Sequence, residues 1–433
     1  MAAIDTSKYE EFFIESADGT EVDIKMDVNS VDYYEDIFSP TVTAKINVTN
    51  TAHSTGLDET IYKGLPLVGC EKVRFKIEGN TDSNPGLDFS KKGDHLYIDK
   101  IINVLTTNNV ESFTLNLVSK DAIVNELHYS RVIKKYPSTS SISGSVEKIL
   151  QDVLKTEKEL DIEPTSNKYG FIGNMRKPFT VITWLMTKSV SEETEGDSTA
   201  GYLFWQTVNG YHFKSIDGII SQGSVNEGSP YVFDEITTKI GRNTDDRILT
   251  YSINRNQNII DKLRLGVYAS NRSFFDPLTG NFICRDPDYK LEKYQGKSKN
   301  LGRTITLPSI NEGEEETIGD VPSRMVTQIL DRGTFDKDVS KEGNADPMKY
   351  QSQSLMRYNT LFTQVMEMTV ASNTNLKAGD IITCRFPKSN SEDNEEISGL
   401  YMIKELCHHF DRIGSWTSMK LVRDTYGLYG TNN

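Results

Sequence analysis

The chain has 433 residues, with 62 Asp and Glu against 48 Lys and Arg, giving a formal net charge of −14. That length suffices for two or three domains with separate cores. The charge argues against a protein that grips nucleic acid, because that grip comes mainly from Lys and Arg displacing phosphate counterions, but it allows an acidic or neutral wall past which DNA slides.

The opening MAAIDTSKYEEFF has neither the basic nor the apolar region of a secretory signal. The longest apolar runs, such as GIIS around Ile219, are far short of the roughly 20 residues a membrane helix needs, so no stable membrane insertion is expected. From Glu11 to Ala122 the hydrophobic period is two. Val42, Ala44, Ile46 and Val48 alternate with polar residues, as do Val73, Phe75 and Ile77, and Phe113, Leu115 and Leu117. Turns are predicted at Asp18-Gly19, Gly64 to Pro66, Gly69 and Asn108-Asn109, with a polar loop from Gly79 to Asp94. Strands so spaced, with no helix between them, predict an antiparallel sheet rolled toward a barrel.

After Ser119 the period changes. Ile123, Val124 and Leu127 suit a short helix, and Val146, Ile149, Leu150, Val153 and Leu154 form a helical stripe with Ser143 or Ser145 as N-cap. Pro178 opens another helix burying Val181, Ile182, Leu185 and Trp184. A hairpin is predicted over Tyr202 to Ile216, turning at Asn209-Gly210, and a second around Pro277 to Gly280. Polar loops fill Pro308 to Pro347, Asp346-Pro347 opens a helix with Met348, Leu355, Tyr358 and Phe362 toward one side, and β-structure returns with an acidic loop at Ser389 to Ser398. In the tail, Tyr426, Leu428 and Tyr429 either dock on a neighbour or fray into solvent.

The C-terminal stretch LYMIKELCHHFDRIGSWTSMKLVRD, Leu400 to Asp424, repeats LYIDKIINVLTTNNVESFTLNLVSK, Leu96 to Lys120. Aligned without a gap, Leu96, Tyr97, Lys100, Leu117 and Val118 fall on Leu400, Tyr401, Lys404, Leu421 and Val422. Upstream, Ala44 to Val48 echoes Met366 to Val370, Gly69 echoes Gly379, and Val73 to Phe75 echoes Cys384 to Phe386. This predicts a duplicated β-domain around an insert. The fold class is α+β and β-rich: two related antiparallel β-barrel domains, residues 1–122 and 346–433, bracketing a mixed α/β region, 123–345, which contributes strands to the second barrel or stands alone.

Residues that could carry chemistry are few. Cys407, His408 and His409 are adjacent on a strand, so at most Cys407 and His409 share a face, and a metal is not expected. Cys70, Cys284, Cys384 and Cys407 lack any CxxC spacing and read as reduced thiols. Asp245-Asp246, Asp286 with Asp288, and Glu314 to Glu316 lack calcium-loop spacing, and alternation accounts for His212. No catalytic site, cofactor site or cofactor is expected, and a non-enzymatic protein is the leading reading. A cell-wall-degrading virion enzyme and a receptor-binding tail protein stand as alternatives.

Four stretches in order, DIFSPTVTAKINVTN with GLPLVGCEKVRFKI, SVEKILQDVL, AGYLFWQTVNGYHFKSIDGI, and SGLYMIKELCHHF with WTSMKLVRDTYG, resemble the central baseplate hub proteins of contractile-tailed bacteriophages. The loops Pro308 to Asp346 and Ser389 to Ser398 match no pattern of that family. The resemblance implies tube-like β-domains and a homotrimer whose six units meet a sixfold tail tube. It also implies a place in the virion tail baseplate after assembly in the host cytoplasm, a trimeric spike on one side that carries a lysozyme in some relatives, and tube-initiating and tape-measure proteins on the other. DNA would pass through without specific binding.

Overall fold

The structure, a computed structural model, describes residues 6–51, 61–65, 67–107, 110–192, 199–233, 246–255, 258–283, 289–290, 299–302, 307–311, 313, 315–332, 344, 347–388 and 392–425. Asn108-Asn109, Asp245, Cys284, Asp286, Asp288, Glu314, Asp346, Ser389 to Ser391 and the tail from Tyr426 lie outside them.

The predicted alternation becomes eight strands in the N-terminal part: β1 (Lys8–Glu15), β2 (Glu21–Asp23), β3 (Val28–Asp36), β4 (Thr43–Thr51), β5 (Lys72–Glu78), β6 (Leu87–Asp88), β7 (Leu96–Thr106) and β8 (Val110–Ser119). Their inward residues, among them Phe12, Val31, Ile46, Phe75, Phe113 and Leu115, form one core. Burying side chains of this size contributes roughly 1.5–3 kcal/mol each, which is why a one-residue slip of register would be so costly.

In the middle region come a helix Lys120–Glu126, β9 (Lys135–Tyr136), a helix Ile142–Lys148 that widens into a π-helical stretch Ile149–Leu154, β10 (Glu159–Ile162), β11 (Phe171–Ile172) and a helix Pro178–Met186. β12 (Tyr202–Gln206), β13 (Gly210–Ser215), a helix Ile216–Ser221, β14 (Tyr231–Val232) and β15 (Ile248–Arg255) follow. A helix Ile259–Leu265, β16 (Ala269–Phe275), β17 (Phe282–Ile283), β18 (Tyr289–Lys290) and β19 (Arg324–Ile329) complete it. The helical stripe starts earlier than predicted, for Ser141, not Ser143 or Ser145, caps it by accepting the Gly144 amide. Pro178 opens its helix as expected and Val181, Ile182 and Leu185 are buried, while Trp184 stays 38% exposed against Tyr169 and Phe171.

The hairpin β12–β13 is present, but its turn is shifted: Thr207 and Gly210 exchange both backbone bonds, so Val208 and Asn209 are the central residues. Gly210 is needed for another reason. Strand β10 runs parallel beside it, and a Cβ there would meet the Glu159 carbonyl oxygen at 2.2 Å. The second predicted hairpin is β16–β17, with Phe275 opposite Phe282.

After the helix Pro347–Thr360 come β20 (Gln364–Ala371), β21 (Ile381–Arg385), β22 (Gly399–Asp411) and β23 (Ser415–Arg423). The two ends of the chain then join in one sheet, in the order β15-β20-β23-β22-β3-β4-β8-β7-β5-β1-β2. Barrel closure of either unit is not seen among the described strands.

The duplication is visible in topology. The first unit runs β3-β4-β8-β7-β5 and the second β15-β20-β23-β22-β21, all antiparallel. Ala44 faces Leu117 as Met366 faces Leu421, and Ile46 faces Leu115 as Met368 faces Met419, in the register the sequence repeat implies. On the longer strand the ungapped match is one residue out: Ile98, which pairs with Leu117, corresponds to Ile403, which pairs with Leu421. Val73, opposite Leu96, likewise corresponds to Ile382, opposite Tyr401, not to Cys384.

Even the entry turns agree. Cys70 donates its amide to the Ile98 carbonyl while the Ile98 amide donates to Glu71, and Gly379, Ile403 and Asp380 repeat both bonds. The Glu71 carboxylate accepts the Val68 amide and the Asp380 carboxylate accepts that of Lys377. Cys70, not Gly69, is thus the counterpart of Gly379, and both have left-handed backbones, with φ of 67° and 96°.

Candidate functional site at the seam between the two sheet units

The two units meet where β22 pairs with β3, from Glu405 opposite Asp36 to Asp411 opposite Ser30. On the outer face of this seam His409 lies between two carboxylates, contacting Asp32 through Nδ1 and Asp411 through Nε2 at 3.2 Å, and stacks on Trp416 at 4.0 Å. Burial pulls the imidazole pKa down, but the two acids outweigh it and the net shift is upward. Lys404 reaches Asp36 at 2.7 Å and Glu405 at 3.2 Å. Burial, with the Asp32 charge adding to it, pushes the Cys407 thiol up to about 12, so it is a poor nucleophile.

His408 points the other way, as strand geometry requires. It is buried, holds the Thr417 hydroxyl at 3.0 Å and the Leu376 carbonyl at 3.2 Å, and lies parallel to the Tyr33 ring. Burial lowers its pKa to about 4. Among the described residues no group of three or more His, Cys, Asp or Glu could hold a metal ion.

Beneath the seam lies Glu35, 1% exposed. Its carboxylate accepts the Tyr33 hydroxyl at 2.8 Å, the Val208 amide at 2.8 Å and the Ala378 amide at 2.9 Å, so one side chain ties β3, the β12–β13 turn and the entry turn of the second unit. Desolvation outweighs these donors and pushes the carboxyl up to about 7. Its neighbour Asp380 is pushed up to about 6, again by burial. Trp205 closes the junction, donating to the Ala378 carbonyl at 2.9 Å. The apolar filling comes from all three parts: Ile37, Leu203, Trp205, Ile216, Leu361, Met402 and Val422.

A second buried anchor lies deeper. Arg357, 1% exposed, pairs with Asp424 and Asp217, each at 2.6 Å, and donates to the Lys299 carbonyl at 2.5 Å. The connecting helix is thereby tied to the middle region and to the end of β23. Neither Glu35 nor Arg357 was singled out from the sequence. A signal existed for Glu35, which falls on the inward parity of β3 after Val31 and Tyr33.

His212 lines a pocket of about 300 Å³ with Asp161, Trp205 and Lys377. Its Nδ1 meets Asp161 at 3.1 Å and its Nε2 the Thr207 hydroxyl at 2.9 Å. That line has the outline of acid, base and nucleophile. Thr207 is only 1% exposed, however, and its oxygen already accepts the Asn209 amide. Of the acidic pairs, Asp246 accepts the Ser229 hydroxyl at 2.5 Å, and Glu315 and Glu316 occupy a surface loop.

The outward face of the shared sheet is mostly polar. Asp32, Asp36, Glu367, Glu405 and Asp411 interleave with Lys45, Lys100, Lys404 and Lys420 among Ser, Thr and Asn: Lys45 stands opposite Asp32, and Lys420 between Glu405 and Glu367. A shallow groove of about 480 Å³ crosses β15, β20, β23 and β22 on this face.

A similar β-rich fold is found in a 43 kDa tail protein of prophage MuSo2 from Shewanella oneidensis, 9% identical, covering 96% of this chain and 98% of that one with a TM-score of 0.51. A tail protein from Neisseria meningitidis MC58 is 10% identical, with 96% of each chain covered and a TM-score of 0.51. No family model matches. In sequence the chain is 21% identical over 330 residues to a probable baseplate hub protein of Vibrio phage KVP40, covering 72% of this chain and 71% of that protein. The chain is a structural protein of the phage tail, a baseplate component of the hub type.

Proposed function

We propose that three copies of this chain close head to tail into a ring around the tail axis, presenting six similar sheet units to a sixfold tube. The seam carries this reading. Within one chain, β22 of the second unit pairs with β3 of the first. The counterpart of β22 is β7 and that of β3 is β15, and among the described residues both counterparts have open edges: β15 ends the sheet, and β5 pairs with β7 only at Leu96 and Tyr97. Repeating the seam between copies sets β7 of one beside β15 of the next. Such a contact covers two exposed edges that would otherwise invite aggregation, and its rotation closes into a cyclic oligomer.

The register carries over. Cys407 stands opposite Tyr34. Their counterparts by ladder position are Ile102, which pairs with Thr114 as Cys407 pairs with Ser418, and Asn254, which pairs with Val365 as Tyr34 pairs with Thr43. Ile102 of one copy therefore faces Asn254 of the next, on the outer face. The test is the double variant Ile102→Cys/Asn254→Cys, whose Cβ atoms would lie within disulfide reach across an antiparallel pair. Mild oxidation should give a covalent trimer that neither single variant gives. Monomer alone, at high concentration and in both oxidised and reduced samples, would overturn the ring.

In this ring the polar sheet face lines the lumen. Each lysine there has a carboxylate or amide neighbour, so no continuous basic track is offered to DNA, which passes without specific binding. The spike, with or without a lysozyme, docks on one rim, and the tube-initiating and tape-measure proteins on the other. The chain itself is non-catalytic, consistent with the buried, already bonded hydroxyl of Thr207; the purified chain should leave peptidoglycan intact.

A further inference from the structure

One surface of the middle region departs from the charge of the rest. Residues 127–136, LHYSRVIKKY, and 167–177, NKYGFIGNMRK, contain Arg131, Lys134, Lys135, Lys168, Arg176 and Lys177 and no acid, in a chain of net charge −14. The two segments lie side by side. Val132 and Arg176 bridge, the Met175 amide donates to the Val132 carbonyl at 3.0 Å, and β9 pairs with β11 in a two-stranded sheet separate from the main one.

The ribbon is apolar on both faces. Val132, Tyr136 and Phe171 point into the middle core, with Tyr136 and Phe171 stacked at 4.6 Å. Their neighbours point outward: Tyr129 is 71% exposed, Ile133 61%, Met175 59%, Leu127 38% and Ile172 37%. Met175 is held out by a turn in which it and Asn174 both have left-handed backbones, φ 57° and 49°, a conformation unfavourable for a non-glycine residue. Glu126 pairs with Lys177, and Asp152 lies 3.7 Å from Lys134; both pairs are at the surface, where such contacts are weak.

We infer that this ribbon is a docking surface for an acidic segment, with apolar side chains at its centre, of another protein of the tail. Duplex DNA would use the cations but offers little to five exposed apolar side chains. A second copy of the chain is already accounted for by the two sheet edges, neither of which belongs to this ribbon. An acidic, apolar-centred segment matches both halves of the surface: buried anchors at the middle, charge pairing at the rim. The inference rests on the reading of the chain as a baseplate component.

The test replaces Tyr129 with the photo-crosslinking residue p-benzoylphenylalanine in the full chain, within assembled particles, with the crosslinked segment sequenced by mass spectrometry. The expected adduct joins Tyr129 to an acidic segment of a different protein. Its yield should fall at least about tenfold in Ile133→Asp/Met175→Asp and in the milder Lys134→Glu/Arg176→Glu, while both still form the parent oligomer. An adduct with a second copy, with DNA, or with nothing overturns the docking inference and leaves the hub reading standing. Particles that lack the chain altogether overturn both.

Discussion

Glu35 makes a titration prediction with a definite sign. Its carboxyl is raised from the ordinary 4.5 to about 7 in the folded chain, so between those values the folded state holds the extra proton. The stability linked to this group is full below pH 4.5 and is lost as pH rises through 7, a cost of roughly 3 kcal/mol. Asp380, raised to about 6, acts in the same direction. His408, lowered from 6.5 to about 4, acts oppositely: its contribution is present above pH 6.5 and lost as pH falls toward 4. Urea midpoints from pH 4.5 to 7.5 should therefore decline less steeply in Glu35→Gln than in the parent. Equal slopes would show that the carboxyl is not desolvated. Arg357→Met should cost about 3–5 kcal/mol, because it strands Asp217 and Asp424 in the interior. These residues were hard to find in the sequence for a physical reason: a buried charge is recognisable only by partners, and those of Arg357 lie 67 and 140 residues away.

The strands were legible because alternation is a local property, and Val42 to Val48 or Phe113 to Leu117 are buried every second residue as predicted. The duplication was legible too, but its alignment along β22 was not. Both long strands carry a bulge, between Ile98 and Lys100 and between Ile403 and Glu405, but β7 has a second one, between Ile102 and Leu105, that β22 lacks, and its extra residue puts the ungapped match one position out before it. Nor could the sequence reveal that the two units share a sheet, since the pairing of β22 with β3 is decided by which edges are left open once each unit has formed. The matched entry turns give a paired experiment. Cys70 sits in a left-handed conformation that Gly379 occupies in the other unit. Cys70→Gly should gain up to about 1 kcal/mol, strain relief offset in part by chain entropy. Gly379→Cys should lose more than that, because its Cβ would come 2.7 Å from the Trp205 ring. Thermal unfolding of the two variants checks both signs.

At the scale of the whole molecule, the ring reading predicts that the assembled chain shows no measurable affinity for a short DNA duplex at physiological salt, by fluorescence anisotropy, whereas reversal of Asp32, Asp36 and Glu405 to lysine should create it. The seam also governs how the chain is made. Strand β3 leaves the ribosome early, but its partner β22 is encoded some 370 residues later, as the Lys404–Asp36 bond records. Until β22 has been made, the first unit must therefore wait with a bare flank. A chain interrupted before β22 would keep that adhesive side, and it is the making of β22 that lets the subunit cover it.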